Sequence, residues 1–219
     1  MNLFNTLKPT MNKYTLVLSG PIGAGKSTML GMLRDYLKSR RLWFAIVPEY
    51  LEGMTSGRHM LEAWTQGRIT LSEFNHYIMD AVDTLNRAAN GYPVKIMERA
   101  PIENAWIFAN KEPGLLLQAH NIHHKYNIPL VTSKDCAVSV VNANLDAEQV
   151  FKDILKIIED DFLRNVRGRV IYLRISAETS KNRVAERGRK AEKSYTEEYL
   201  ASIVKKYEDL FFNTKVNDD

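Results

Sequence analysis

The chain contains a single cysteine, Cys136, and no apolar run of the roughly 18 to 20 residues that span a bilayer. One cysteine excludes an internal disulfide framework and is typical of a protein from a reducing compartment. The N-terminal sequence also lacks the apolar core of a signal peptide. We therefore expect a soluble, cytoplasmic protein that does not bind a membrane.

The chain also lacks a large excess of charge of one sign: it has 30 basic and 26 acidic residues, and its formal net charge is +4. Such a mixed surface does not favour a nucleic-acid partner. No repeat, low-complexity tract or linker divides the 219 residues, and a hydrophobic content of 45% is enough for a sizeable core. We expect one domain over 1–219, with a polar N-terminal arm at 1–13.

Short apolar runs rich in β-branched residues alternate with helical patterns along the chain. They predict strands at 14–19, 43–47, 94–97 and 170–175. Helices are predicted at 27–39, 71–89, 102–110, 147–165, 177–186 and 197–211. The alternation predicts an α/β fold with a central parallel β-sheet flanked by helices. Residues 111–144 fit less clearly: NIPLVTSKDCAVSVV favours one or two strands, and we interpret 111–144 as an insertion at the periphery of the sheet.

The strongest functional signal is the segment GPIGAGKST, which follows the first predicted strand and precedes the first predicted helix. It has the G-x-x-x-x-G-K-[ST] pattern of a phosphate-binding loop. Its glycines let successive N–H groups point at phosphate oxygens, and the positive end of the next helix attracts the same anion. Lysine adds a charge for the β and γ phosphates, and serine is a Mg²⁺ ligand. The predicted ATP-phosphate contacts are Gly20, Gly23, Ala24, Gly25, Lys26, Ser27 and Thr28.

Acidic and basic residues follow the second and third predicted strands. Glu49 ends the segment IVPEY, and Glu98 and Arg99 lie in IMERAP. Because the carboxyl ends of parallel strands form the ligand crevice of such a sheet, we expect these side chains to face the phosphate loop. Transfer of a phosphoryl group to a hydroxyl needs a carboxylate base, a metal anchor and a cation. These three residues are suited to those roles.

A basic segment, NRVAERGRKAEKS, follows the fourth predicted strand and its helix. Arg183 and Arg187 share one helix face, and Arg189 comes just after Gly188. A solvated basic helix end would have the same pattern. Guanidinium groups that converge need an anion between them, and the phosphate loop therefore favours an arginine-rich lid at 183–195 that binds ATP phosphates.

Taken in order, GPIGAGKST, PE after the second strand, ER after the third strand and R-x-x-x-R-x-R-x-x-E resemble the deoxynucleoside kinase family. This family includes cellular deoxycytidine and deoxyguanosine kinases and herpesvirus-type thymidine kinases. The resemblance implies a P-loop kinase fold with a five-stranded parallel sheet and a homodimer. It also implies transfer of the γ-phosphate of ATP, with Mg²⁺, to the 5′-hydroxyl of a deoxynucleoside.

The resemblance also implies a role for individual residues. The catalytic set is Lys26, Glu49, Arg99 and Arg187. Glu49 is the base, Arg99 lies near the 5′-hydroxyl and the transferred phosphate, and Ser27 and Glu98 lie near the metal. Glu192 matches the carboxylate that holds the sugar 3′-hydroxyl.

Several positions depart from the cellular members of the family. Asn104 replaces an aspartate linked to base recognition, Asn75 replaces a glutamine that reads the base, and Trp64 replaces a tyrosine near the 3′-hydroxyl. Ala100 stands where serine is common. These substitutions leave the base open, with thymidine or another pyrimidine as the candidate. The family also continues into a last strand and an adenine-contacting loop, so either 215–217 or a strand from 128–141 must replace that strand.

Two other functions remain open. A nucleoside monophosphate kinase of the thymidylate type would need a further cation for the acceptor phosphate, and Arg68 or Arg87 is placed to supply it. A nucleotide-binding switch protein would use the loop without catalysis. The histidines at 120, 123 and 124 have no cysteine or acidic residue at a metal-ligand spacing, so we expect them on the surface.

Overall fold

The computed structural model of the chain describes residues 13–53, 56–188, 192 and 195–214. Of the predicted N-terminal arm at 1–13, only Lys13 is among them. Arg189 and the alternative last strand at 215–217 lie outside the described residues. No helix in the described part of the chain is long and apolar enough to cross a membrane.

One five-stranded sheet forms the centre of the fold, with the strand order β2-β3-β1-β5-β4. Its strands are β1 (Tyr14–Ser19), β2 (Phe44–Val47), β3 (Val94–Glu98), β4 (Val138–Asn142) and β5 (Gly168–Arg174). All neighbouring strands are parallel, with Leu16 of β1 opposite Ile96 of β3. The predicted α/β P-loop kinase fold with a central parallel sheet is confirmed.

Helices connect these strands and cover both faces of the sheet. They are α1 (Lys26–Ser39), α2 (Tyr50–Gly53), α3 (Gly57–Thr65), α4 (Leu71–Ala89), α5 (Pro101–Glu103), α6 (Pro113–Tyr126), α7 (Ala147–Leu163), α8 (Ala177–Arg187) and α9 (Glu197–Glu208). A π-helical turn, Asn104–Phe108, continues α5, and a second one, Asp209–Asn213, continues α9. Such turns re-aim side chains locally and are frequent near functional sites.

The side chains of β1 alternate between two apolar layers, as expected for a strand covered on both faces. Leu16 and Leu18 belong to the layer that contains α1 and α7. Val17 belongs to the layer that contains α4 and α6. Each of these three side chains is fully buried, so the strand that leads into the phosphate loop is held from both sides.

The segment 111–144 supplies one helix and one edge strand. Helix α6 was not predicted, because Pro113 and Gly114 are typical of a turn; in the structure the proline occupies the first helical turn, which needs no N–H. Leu115 and Ile122 of α6 join the core beside α4. Strand β4 pairs with β5 and occupies the outer position of the sheet. It overlaps the end of the strand expected within 128–141 and extends to Asn142.

His123 corrects the expectation of three surface histidines. The other two are exposed, but His123 is only 3% exposed on the buried face of α6. Its Nε2 accepts a hydrogen bond from the N–H of Ile102 (3.2 Å), and its Nδ1 lies 3.1 Å from the carbonyl of Ile128. The sequence around 123 has no clear helical hydrophobic periodicity, so it does not indicate which of the histidines is buried. The ring links α5 to the end of α6 and stays neutral, because burial lowers its pKa to about 4.

This buried histidine predicts a loss of stability in acid. The ring binds a proton near pH 6.5 in the unfolded chain but near pH 4 in the folded one, so the free energy of unfolding falls as pH drops through this window. We expect a contribution of about 2 kcal/mol at pH 5 relative to pH 8. Urea unfolding of His123→Gln should therefore show a smaller difference in the free energy of unfolding between pH 5 and pH 8, by about 2 kcal/mol, than the wild type shows. The exposed control His124→Gln should behave as wild type, and equal pH profiles for all three proteins would contradict the prediction.

Candidate active site

The phosphate loop joins β1 to α1 in a shape that depends on its glycines. Gly20, Gly23 and Gly25 have φ values of 147°, 80° and 85°, which side chains rarely allow. A Cβ at Gly20 would lie 2.7 Å from the carbonyl oxygen of Leu173, and one at Gly23 would lie 3.0 Å from that of Ser180. The backbone therefore lies too close to β5 and α8 for a side chain at these two positions, and it leads into the N-terminus of α1, which attracts anions.

Lys26 is the buried cation of this loop. Its Nζ donates to the carbonyls of Gly20 (2.8 Å) and Pro21 (2.9 Å), and the side chain is almost fully buried. Burial and the nearby charge of Arg99 lower its pKa to about 8. Because a buried ammonium is favoured by a neighbouring anion, a bound phosphate would raise this pKa again.

Ser27 and Glu98 form the candidate metal site. The Ser27 hydroxyl donates to Oε1 of Glu98 (3.1 Å), and Glu98 is 5% exposed. Burial raises the pKa of this carboxyl, and a divalent cation would oppose that shift. Hydroxyl and carboxylate oxygens are the donors that Mg²⁺ prefers. Over the described ranges no group of three or more His, Cys, Asp or Glu could hold a metal, so phosphate oxygens and water would complete such a site.

Arg99 and Glu49 meet at the carboxyl ends of β3 and β2. Arg99 Nε donates to Oε1 of Glu49 at 3.2 Å, and its Nη1 approaches the Gly20 carbonyl at 3.5 Å. Glu49 is 20% exposed in its side chain, whereas Arg99 is buried. The structure therefore brings the predicted acid and arginine together beside the phosphate loop, because all parallel strands end at the same edge of the sheet.

Two buried polar residues at this site, Tyr207 and Glu103, were not predicted from the sequence. Tyr207 of α9 accepts a hydrogen bond from Arg99 Nη1 and donates one to Oε2 of Glu103 at 2.7 Å. Glu103 Oε1 accepts the N–H of Ala100 at 2.7 Å. One sequence signal pointed to Glu103: it stands three residues after Ala100, the residue that precedes α5, and this is the spacing of a capping box.

The predicted lid arginines lie in different surroundings. Arg183 Nη1 is 3.4 Å from the carbonyl of Gly23, and Ser180 Oγ of the same helix donates to the carbonyl of Ile22 at 2.7 Å. Helix α8 thus packs directly on the phosphate loop. Arg187 instead pairs with Glu192, with N···O distances of 3.0 and 2.5 Å. These two residues were predicted to bind phosphate and sugar, respectively, and the structure joins them to each other.

The predicted acceptor residues lie on α3, α4 and the turn after α5. The Trp64 ring stacks on Phe74 with centroids 5.2 Å apart and is 37% exposed. Asn75 and Asn104 are both 3% exposed. The side-chain oxygen of Asn104 is buried and has no hydrogen-bond partner among the residues that the structure describes. Buried amide oxygens usually accept a hydrogen bond, and an N–H group of a bound nucleobase is one donor that could supply it.

Arg68 and Arg87 were the cations required by a monophosphate kinase. Arg87 lies near the end of α4, which leads into the amino end of β3 and so faces away from the phosphate-loop edge. It pairs with Asp83 at 2.7 Å. Arg68 is exposed in the connection between α3 and α4. Arg87 is therefore badly placed to bind an acceptor phosphate.

Comparisons with known proteins give two matching family models. The model of the KAP family P-loop domain matches residues 1–171, and the model of the deoxynucleoside kinases matches residues 144–217. No curated protein matches the chain.

Among solved structures, deoxyadenosine kinase from M. mycoides with bound dATP has a TM-score of 0.53 and 21% sequence identity, covering 90% of this chain and 83% of that one. The same enzyme with its products dCMP and a flexible dCDP has a TM-score of 0.53 and 22% identity, covering 93% of this chain and 86% of that one. At these identities the likeness concerns the fold.

The sheet, the phosphate loop and a family model that matches more than half of the chain show that the chain belongs to the KAP family of P-loop domains. Over residues 144–217, which include the lid segment and α9, the chain is similar to the deoxynucleoside kinases. A P-loop domain implies that the protein binds a nucleoside triphosphate.

Proposed function

We propose that the protein is an ATP-dependent deoxynucleoside kinase that transfers the γ-phosphate to the 5′-hydroxyl of a deoxynucleoside. The observation that carries the proposal is the contact between Glu49 and Arg99 (3.2 Å) beside the phosphate loop that holds Lys26. A protein that only binds nucleotide needs no carboxylate paired with a buried guanidinium at this edge. An acceptor alcohol bound there would lie beside a phosphate held by the loop, because Arg99 also approaches the carbonyl of Gly20.

The residues would then divide the chemistry as follows. Glu49 accepts the 5′-hydroxyl proton while the acceptor oxygen bonds to the γ-phosphorus, and the bond to the β–γ bridging oxygen breaks, leaving its electrons on ADP. Lys26, Arg99 and Arg187 stabilise the charge on the transferring group. Ser27 and Glu98 would hold Mg²⁺, which, when bound, neutralises phosphate charge.

The base of ATP has a candidate position at the loop between β4 and α7. Arg183 connects this loop to the phosphate loop, because its Nη2 lies 3.3 Å from the carbonyl of Leu145 and its Nη1 lies 3.4 Å from that of Gly23. The loop is ordered by Asn144, whose Oδ1 accepts the N–H of Ser176 at 3.2 Å. The Leu145 side chain is 40% exposed, so it offers an apolar surface to a base.

Replacing Leu145 by alanine should weaken ATP binding about fivefold, because the base loses part of its apolar contact. The affinity for inorganic tripolyphosphate should stay unchanged, since that anion has no base. Calorimetric titration of both ligands measures this difference. Leu163→Ala, which shortens a 61% exposed leucine at the end of α7, is the control. Equal losses for ATP and tripolyphosphate would contradict this position.

The acceptor pocket is proposed to lie between Asn75, Asn104 and Trp64, with Glu192 holding the sugar 3′-hydroxyl once it leaves Arg187. Two buried amides can both donate to and accept from the edge of a base. From the family resemblance we retain thymidine or another pyrimidine deoxynucleoside as the proposed acceptor, and a homodimer as the proposed assembly.

A transfer assay with γ-labelled ATP over the four deoxynucleosides and their monophosphates tests the function. We expect labelled monophosphates, with a pyrimidine deoxynucleoside as the best acceptor. Deoxyadenosine as the best acceptor would overturn the base preference alone. Labelled diphosphates would favour the monophosphate kinase, and no labelled product would favour the nucleotide-binding switch.

A further inference from the structure

Arg99 is held in a conformation that its backbone does not favour. Its φ is 69°, in the left-handed region that residues with side chains rarely adopt. Its N–H donates to the carbonyl of Leu18 at 3.0 Å, and its guanidinium lies 5.0 Å from the ring centroid of Phe108. A residue kept in such a conformation depends on the surroundings that fix its side chain.

Those surroundings form a continuous chain of hydrogen bonds that begins at Arg99 Nη1, whereas Glu49 contacts Nε. Arg99 Nη1 donates to the hydroxyl of Tyr207, and this hydroxyl donates to Glu103. Tyr207 is 0% and Glu103 is 1% exposed, so water does not compete for these contacts. A phenol has one proton to donate, and giving it to Glu103 leaves the lone pairs of its oxygen for the guanidinium. Glu103 therefore determines the direction of both bonds.

Tyr172 provides a comparison within the same aromatic group. Its ring is also 0% exposed and stacks on Tyr207 with centroids 6.1 Å apart. Its hydroxyl, however, donates to Glu208 at 2.8 Å, away from Arg99. The two tyrosines thus pack in the same aromatic group, but their hydroxyls have different partners. Removing each hydroxyl in turn can therefore distinguish a role in packing from a role in orienting Arg99.

We propose that Tyr207 and Glu103 are positioning residues that aim the Arg99 guanidinium at the reacting phosphate. The inference rests on the proposed kinase function. In it, α9 affects catalysis indirectly, because its Tyr207 holds Arg99. It predicts that removal of the Tyr207 hydroxyl reduces the rate of transfer while the substrates still bind.

Tyr207→Phe tests this directly, with Tyr172→Phe as the matched control. We expect kcat to fall roughly ten- to a hundredfold for Tyr207→Phe, because small misplacements of a catalytic group have effects of this size. KM for ATP should stay within about twofold, since the phosphate loop is untouched. In an Arg99→Lys background the same change should have little further effect, because residues that act through one another are non-additive. An equal fall for Tyr172→Phe, or an additive effect beside Arg99→Lys, would overturn the proposal.

A second measurement does not depend on turnover. The ¹⁵Nε resonance of Arg99 should be sharp and protected from exchange in the wild type and in Tyr172→Phe, and broadened in Tyr207→Phe. If the wild type transfers no phosphate but shows this pattern, the proposed function fails and the positioning of Arg99 stands. If Tyr207→Phe leaves the resonance unchanged, the positioning fails whatever the activity.

Discussion

Glu49→Gln should reduce kcat about 10²- to 10⁴-fold, which is the usual contribution of a general base. Glutamine keeps the shape of the side chain and can still accept the bond from Arg99 Nε, so the arginine should stay in place. What is lost is the ability to take the proton of the acceptor hydroxyl. Steady-state kinetics with the best acceptor of the deoxynucleoside panel measures the effect.

The control for this variant is Glu148→Gln, which changes an exposed carboxylate that pairs with Lys152 on α7. It should have the activity of the wild type. The dissociation constant of ATP should be the same in all three proteins, because the phosphate loop binds ATP without Glu49. Full turnover by Glu49→Gln would remove the assigned base and, with it, the main support for the proposed reaction.

Asp161→Asn should lower the free energy of unfolding by about 3 kcal/mol or more, as expected when one partner of a buried ion pair is removed. Asp161 is 0% exposed, receives two nitrogens of Arg169 and accepts the hydroxyl of Tyr14 at 2.8 Å. Arg169 in turn donates to Ser139 of β4 at 2.9 Å. The carboxylate therefore connects α7, β1 and β5 to the edge strand.

Asp160→Asn is the matched control, since it changes the preceding residue in a pair with Arg164 that is largely exposed. Exposed pairs of this kind contribute about 0 to 1 kcal/mol. Urea unfolding of both variants, with unchanged slopes, gives the comparison. Similar losses in the free energy of unfolding for the two variants would show that the buried Asp161 pair stabilises the fold no more than the exposed Asp160 pair does.

Much of the fold could be predicted from the sequence, because its signals are local. The strands that became β1, β2, β3 and β5 are short apolar runs, and the helices after them have regular periods. The helix α6 and the strand β4 were harder to predict: a proline and a glycine begin α6, and two of the three valines of β4 are exposed. In both cases packing against neighbouring elements outweighs weak local preference.

The candidate site divides in the same way. The phosphate loop could be recognised from nine consecutive residues, because its backbone conformation depends on its own glycines. The meeting of Glu49 with Arg99 could be predicted from the common direction of the strands. The pairing of Arg187 with Glu192 was not predicted, because the conformation of the lid depends on contacts that sequence spacing does not specify.

The sequence by itself determined the phosphate loop, the alternation of strand and helix and the order of charged residues at the strand ends. These follow from hydrogen bonding and periodicity over a few residues. Only the tertiary structure decided that Tyr207 contacts Arg99 across 108 positions, that His123 is buried and that β4 fills the edge of the sheet. Such contacts join distant segments, and their free energy comes from burial and pairing that exist only after the chain has folded.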